Sequence, residues 1–112
     1  MLIITNQEEY NTAIQNNECC LFYVTADWCG PCQQMKPFIK TLEEKYKDKV
    51  SFCQVDIDMD DEDFPFCRND VISIPNFRMY VGINYVDSVK GRDEEGLTSL
   101  IDETLEEYFK ED

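Results

Sequence analysis

The sequence predicts an α/β domain in which a mixed five-stranded sheet carries helices on both faces, with the element order βαβαβαββα. Residues 21–25 are apolar and β-prone, as in a buried strand. The apolar residues that follow recur at the spacing of one helix face: Met35, Phe38, Ile39, Leu42 and Tyr46. Near the end, the turn residues 82–84 separate two β-prone stretches, which indicates an antiparallel hairpin after the parallel strands.

The N-terminal third predicts a strand, a helix and a second strand. Residues 2–4 are a short apolar strand, and Thr5 or Asn6 can cap a helix that ends near residues 16–17. Residues 19–25 then form the predicted central strand of the sheet. The chain therefore begins with one strand–helix–strand unit.

The middle of the chain continues this alternation. A helix is expected after Cys32 and runs to about Lys47, and Pro37 should bend it because proline removes one helical hydrogen bond. Residues 51–55 are the third predicted strand. The acidic residues 56–63 then lead into a short helix interrupted by Pro65.

The C-terminal part predicts the hairpin and the last helix. Residues 76–81 and 85–89 are the fourth and fifth strands. Asp93 can cap a final helix with a regular apolar face, made of Leu97, Leu100, Ile101, Leu105 and Tyr108.

The pentapeptide Trp28-Cys29-Gly30-Pro31-Cys32 lies between the central strand and the second helix. A helix N-terminus carries partial positive charge and unpaired N–H groups, so a thiolate there has a lowered pKa. A spacing of three places Cys29 and Cys32 about one turn apart on one face, close enough to form a disulfide. The pattern indicates a dithiol that opens and closes reversibly.

Composition limits the class of protein and of partner. The chain has 112 residues, the size of one domain, and 43% of them are hydrophobic, enough to form a core. Its net charge of −14 disfavours nucleic acid and anionic membranes as partners. No signal or transmembrane segment is visible, so we expect a cytoplasmic protein in a reducing compartment.

The chain resembles thioredoxins over essentially its whole length, which implies a thioredoxin fold for residues 1–112 as a single domain. The resemblance rests on three segments: residues 25–32 with residues 35–38, the Ser73-Ile74-Pro75 loop, and Gly91. In this family, the proline of the loop is cis and faces the disulfide, and the backbone beside it pairs with extended substrate. The resemblance thus implies a redox pair, Cys29 and Cys32, and a substrate-binding surface of Trp28, Gly30, Pro31, Ile74, Pro75 and Gly91.

Two positions depart from the family pattern. Tyr23 occupies the place where many thioredoxins have a buried aspartate that handles the proton of the second cysteine. Tyrosine, with an ordinary pKa near 10, is a poor base at neutral pH. Asn76 replaces the threonine that commonly follows the proline, which bears on local substrate preference.

Metal binding is the main structural alternative for the cysteines and acids. Zinc requires four ligands, but the chain has no histidine and no second CxxC, so Cys19, Cys20, Cys53 and Cys67 would have to converge. The same four could also be accessory redox thiols, but free cysteines are among the most buried residue types. We therefore interpret the set as small apolar side chains, and of the four Cys67, near an irregular acidic loop, is the one we most expect to be exposed. Asp56, Asp58 and Asp60 resemble half of a calcium loop, which lacks the required glycine and glutamate.

Function is therefore predicted as thiol–disulfide oxidoreduction, mainly the reduction of disulfides in client proteins, with no bound cofactor or metal. Cys29 attacks as thiolate and Cys32 resolves the mixed disulfide. The resemblance implies a thioredoxin reductase as the electron donor. Two alternatives stay open: a protein-disulfide oxidase or isomerase, and a non-enzymatic binding module that uses the same fold.

Overall fold

The computed structural model describes residues 1–57 and 73–109, and these form five strands and three helices. In chain order they are β1 (Leu2–Ile4), α1 (Gln7–Asn16), β2 (Cys19–Thr25), α2 (Gly30–Lys45), β3 (Ser51–Asp56), β4 (Asn76–Val81), β5 (Asn84–Lys90) and α3 (Glu94–Tyr108).

The sheet has the strand order β1-β3-β2-β4-β5, which places β2 at its centre. Strands β1 and β2 both pair in parallel with β3, whereas β4 is antiparallel to β2 and to β5. All seven residues of β2 are buried, as expected for a strand covered on both faces. The mixed α/β architecture predicted from the sequence is confirmed.

Side chains of β2 alternate between two hydrophobic clusters, one on each face of the sheet. Leu21 and Tyr23 belong to the larger cluster, which α2 and α3 cover, whereas Phe22 and Val24 belong to the smaller one, which α1 covers. Phe22 is completely buried and packs against Tyr10, with ring centroids 4.9 Å apart. Truncating such a ring to alanine typically costs about 3 to 5 kcal/mol, so β2 is central to stability as well as to topology.

Helix capping agrees with the sequence at two ends. Asn6 accepts a hydrogen bond from the Glu9 backbone N–H at 2.8 Å, and Asp93 accepts one from Gly96 at 2.9 Å. Each satisfies an N–H that has no partner within its own helix. Of the two candidates for the first cap, Asn6 is therefore the one used.

Several predicted boundaries are wrong by a few residues. The second helix begins at Gly30 rather than after Cys32, ends at Lys45, and contains Pro37 in its interior. Strand β3 continues to Asp56, and β5 spans Asn84–Lys90, one residue longer at each end than predicted. The predicted helix near Pro65 lies outside the described residues. Within the residues that are described, no helix is both long and apolar enough to span a membrane.

Candidate active site at the Cys29–Cys32 disulfide

Cys29 and Cys32 form a disulfide at the junction between β2 and α2, with their Cα atoms 5.2 Å apart. Strand β2 ends at Thr25, and the chain then turns so that Cys29 becomes the N-cap of α2. Two hydrogen bonds stabilise the turn: Cys29 N–H donates to the Ala26 carbonyl at 3.2 Å, and the Gln33 side chain donates to the same carbonyl at 2.9 Å. The predicted redox pair therefore lies where the sequence placed it.

The helix N-terminus acts directly on the Cys29 sulfur. The Cys32 backbone N–H donates to Cys29 Sγ at 3.2 Å, so the sulfur takes the position of an N-cap acceptor. Pro31 lies in the first turn, where its missing N–H leaves no helical hydrogen bond unmade. After reduction, the same N–H group and the helix dipole stabilise a Cys29 thiolate.

The two sulfurs differ in access from solvent. Cys29 keeps 5% of its surface exposed, whereas Cys32 is completely buried. Gly30 and Pro31 between them are exposed, and the neighbouring Trp28 is 69% exposed despite its size. Of the two sulfurs, Cys29 is therefore the more accessible, and it lies beside an exposed aromatic side chain.

The loop before β4 carries Ile74 and Pro75, two of the residues expected at the site. The Ile74–Pro75 peptide bond is cis, as the family resemblance implied, and Ile74 packs against the cluster that contains both active-site cysteines. Gly91 donates its N–H to the Pro75 carbonyl at 2.8 Å and has φ of +75°, a conformation that favours glycine. The residues that the resemblance assigned to substrate binding differ in exposure: Trp28, Gly30 and Pro31 are exposed, Ile74 and Gly91 are partly buried, and Pro75 is buried. We refer to these six residues together as the client face, after the role that the resemblance implies.

Asn76, the unusual residue after the proline, does not belong to the client face. Its side chain is 3% exposed, so it points into the protein. An effect of Asn76 on substrate preference has to act through the position of the Pro75 loop rather than through contact with the substrate.

Tyr23 lies beneath the disulfide and contacts α2. Its phenol donates a hydrogen bond to the Cys32 carbonyl at 2.6 Å, and its ring stacks on Phe77 with centroids 5.1 Å apart. Burial raises the pKa of Tyr23 above its usual value of 10.0, so the phenol is protonated at neutral pH. The sequence predicted the missing carboxylate, but it did not predict that the phenol holds the first turn of α2.

Three of the other cysteines are free thiols in the core. Cys19 lies against the sulfur of Met79 at 3.6 Å, and burial raises its pKa to about 12. Cys20 and Cys53 lie in the smaller cluster, where their shared hydrogen bond and burial raise the pKa of Cys53. These positions agree with the interpretation of the three as buried apolar side chains. Cys67 lies outside the described residues.

Residues 1–57 and 73–109 contain no group of three or more His, Cys, Asp or Glu side chains arranged to hold a metal ion. Asp58 and Asp60 of the calcium-like pattern are not among these residues.

Comparison with known proteins gives consistent matches. The sequence model of the Thioredoxin family matches residues 1–103. The chain is 32% identical to Thioredoxin 1 of Plasmodium falciparum (isolate 3D7), over 89% of this chain and 93% of that protein. It is 30% identical to the mitochondrial Thioredoxin O of Oryza sativa subsp. japonica, over 99% of this chain and 63% of that protein. A solved structure of Plasmodium falciparum thioredoxin superposes with a TM-score of 0.83 at 31% identity, covering 92% of this chain and 98% of that one.

Proposed function

This chain belongs to the thioredoxin family of thiol–disulfide oxidoreductases, and from that premise we propose that Cys29 and Cys32 reduce the disulfides of client proteins. The observation that carries the proposal is the Cys29 sulfur at the N-cap of α2, where it accepts the Cys32 N–H at 3.2 Å. A sulfur in this position gains stability as a thiolate, which is the attacking species.

The proposed reaction has two exchange steps. The Cys29 thiolate attacks one sulfur of the client disulfide, which forms a mixed disulfide and releases the other client sulfur as a thiolate. Cys32 loses its proton and attacks Cys29, which closes the Cys29–Cys32 disulfide and releases the second client sulfur. Two electrons pass to the client. Its two thiolates are protonated, one by the proton that Cys32 releases and the other by solvent.

The assignment of the two cysteines follows from their exposure. Cys29, at the helix start, keeps a small exposed surface and is the attacker. Cys32 is completely buried, so the sulfur within its reach is that of Cys29, which carries the client in the mixed disulfide. Burial keeps the Cys32 thiol away from solvent and from unrelated disulfides until the mixed disulfide has formed on Cys29.

The client face supplies the proposed binding surface. Trp28 offers an exposed aromatic ring beside the attacked sulfur, and Gly30 and Pro31 leave the approach open because neither has a large side chain. The Pro75 carbonyl already accepts from Gly91, so the backbone of Ile74 is proposed to pair with an extended client segment. Clients are accordingly proteins that can present an extended segment next to a disulfide.

Regeneration requires an outside reductant because each cycle leaves the active site as a disulfide. We assign this role to a thioredoxin reductase, on the strength of family membership.

We place the protein in a reducing compartment, with the cytoplasm as the first choice. Related proteins include mitochondrial thioredoxins, so the mitochondrial matrix is the competing assignment.

Residues 1–112 are proposed to form a single domain, since all five described strands belong to one sheet.

An insulin-type turbidity assay tests the function. Wild-type protein kept reduced by dithiothreitol should accelerate the reduction of insulin disulfides well above the dithiothreitol background, and Cys29→Ser should not. Cys53→Ser is a matched control because it removes a thiol that lies outside the proposed site. Equal turnover by wild type and Cys29→Ser contradicts the proposal.

A further inference from the structure

Arg92 lies on the rim of the client face, on the short loop between β5 and α3. The residue before it, Gly91, is bonded to the Pro75 carbonyl at 2.8 Å. The residue after it, Asp93, caps α3 by accepting from Gly96 at 2.9 Å. Hydrogen bonds therefore fix the backbone on either side of Arg92, whose side chain is exposed.

The guanidinium of Arg92 reaches across to α2. Its Nη1 donates a hydrogen bond to the side-chain oxygen of Gln34, which is two residues beyond Cys32. Arg92 thus connects the Pro75 side of the client face with the first turns of the helix that carries the disulfide. One N–H of the guanidinium is used in this contact, and arginine has five in a planar fork.

No carboxylate neutralises Arg92 within the part of the chain that the structure describes. The two ion pairs found there join Met1 to Glu43 and Lys47 to Glu44. The adjacent Asp93 carboxylate accepts the backbone N–H of Gly96 at the start of α3. The guanidinium thus keeps donors for a ligand beside the disulfide.

Building on the proposed reductase function, we propose that Arg92 selects clients that carry a carboxylate next to the disulfide. An extended client segment bound along the Pro75 loop passes the guanidinium, and a glutamate or aspartate near the attacked cysteine can accept two parallel N–H bonds from it. A neutral side chain at the same place accepts a weaker bond.

The overall negative charge of the protein works against this preference, and so do the carboxylates of Glu94 and Glu95, two and three residues beyond Arg92 in the chain. The chain carries a net charge of −14, and Glu94 and Glu95 flank a groove beside Phe38, one turn further along α2 than Gln34. Charges separated by more than about 8 Å are largely screened at physiological ionic strength, whereas a guanidinium–carboxylate contact is made at hydrogen-bond distance. The contact therefore decides between clients that have already docked.

The expected size of the effect is modest because Arg92 is exposed. Exposed ion pairs contribute up to about 1 kcal/mol, which corresponds to about a five-fold change in kcat/KM. We therefore expect kcat/KM to be about three- to five-fold higher for the acidic client than for a neutral one.

Two synthetic peptides test the proposal. Each is closed by a single disulfide, and they differ only in having Glu or Gln next to the attacked cysteine. The kcat/KM for reduction is measured at about 0.15 M salt with wild type, Arg92→Gln and Lys49→Gln. The last is the matched control, since it removes the same charge beyond the far end of α2, a helix of 16 residues and thus about 24 Å long.

Wild type and Lys49→Gln should prefer the Glu peptide three- to five-fold, and in Arg92→Gln the two peptides should react at the same rate. Arg92→Lys should keep only part of the preference, because an ammonium lacks the planar fork. Equal rates for the two peptides with wild type, or an unchanged preference in Arg92→Gln, overturn the role of Arg92. If wild type reduces neither peptide, the reductase function itself is wrong, so the two failures are distinguishable.

Discussion

Replacing Tyr23 by aspartate tests how the active site releases the proton of Cys32. The wild-type phenol is a poor acceptor, because its pKa is raised by burial above 10.0 and less than about one molecule in a thousand is phenolate at pH 7. An aspartate at this position faces α2 and the surface cavity that Tyr23 lines with Lys36, Lys40 and Gln54. Because a carboxylate there can accept the proton of Cys32, Tyr23→Asp should speed the second exchange step near neutral pH.

The same change should destabilise the fold by an amount that follows from the contacts of Tyr23. Loss of a buried ring that stacks on Phe77 costs about 3 to 5 kcal/mol. Loss of the hydrogen bond to the Cys32 carbonyl adds about 1 kcal/mol. The expected total of about 4 to 6 kcal/mol is a large share of the 5 to 15 kcal/mol typical of a domain. Tyr23→Phe keeps the ring, so it should cost only about 1 kcal/mol.

Two measurements check these expectations. Urea unfolding gives the free-energy differences, and stopped-flow decay of a preformed mixed disulfide gives the rate of the second step across a pH series. Tyr23→Phe should decay like wild type, because the phenol is not the base, whereas Tyr23→Asp should decay faster at neutral pH. If folded Tyr23→Asp and wild type decay at one rate at every pH, the side chain at this position does not limit proton transfer.

Two further predictions follow from the active-site cysteines and from Tyr46. Cys32→Ser should accumulate mixed disulfides with client proteins, detected on non-reducing gels, and Cys29→Ser should not; the reverse pattern exchanges their roles. Burial and the hydrogen bond from Tyr46 to Asp102 raise the pKa of Tyr46 to about 12. Since the pKa is higher in the folded state than the ordinary 10.0, this contribution to stability is complete below pH 10 and is lost as the pH rises towards 12. Urea midpoints of Tyr46→Phe should therefore fall less than those of wild type between pH 9 and 11, and parallel curves contradict this.

Local patterns in the sequence were sufficient for most of the fold. The alternation of β-prone and helical stretches predicted the mixed sheet, and β2 and β4 have the predicted bounds. The second helix was predicted to follow Cys32, yet its first turn already includes Gly30 and Pro31, the latter at a position that favours proline. They are helical because Cys29 caps the turn through its sulfur and the disulfide joins it to Cys32.

The chemistry of the candidate site was predictable only where residues close in sequence create it. The cysteine pair at a helix start is one such case. The contact between Arg92 and Gln34 joins residues 58 positions apart, and no spacing rule relates them. Similarly, β-strand alternation places Tyr23 on the side of α2, but the bond from its phenol to the Cys32 carbonyl depends on how the helix packs over the sheet.

The reduction potential of the Cys29–Cys32 couple tests the central claim most directly, because it distinguishes a reductase from an oxidase or isomerase on the same fold. The couple is equilibrated with defined ratios of reduced and oxidised dithiothreitol, and the fraction of oxidised protein is read from thiol alkylation. A reductase requires a potential close to about −270 mV, the value of thioredoxin itself. A potential of about −180 mV or higher, as in protein disulfide isomerase and stronger oxidants, contradicts the proposed function.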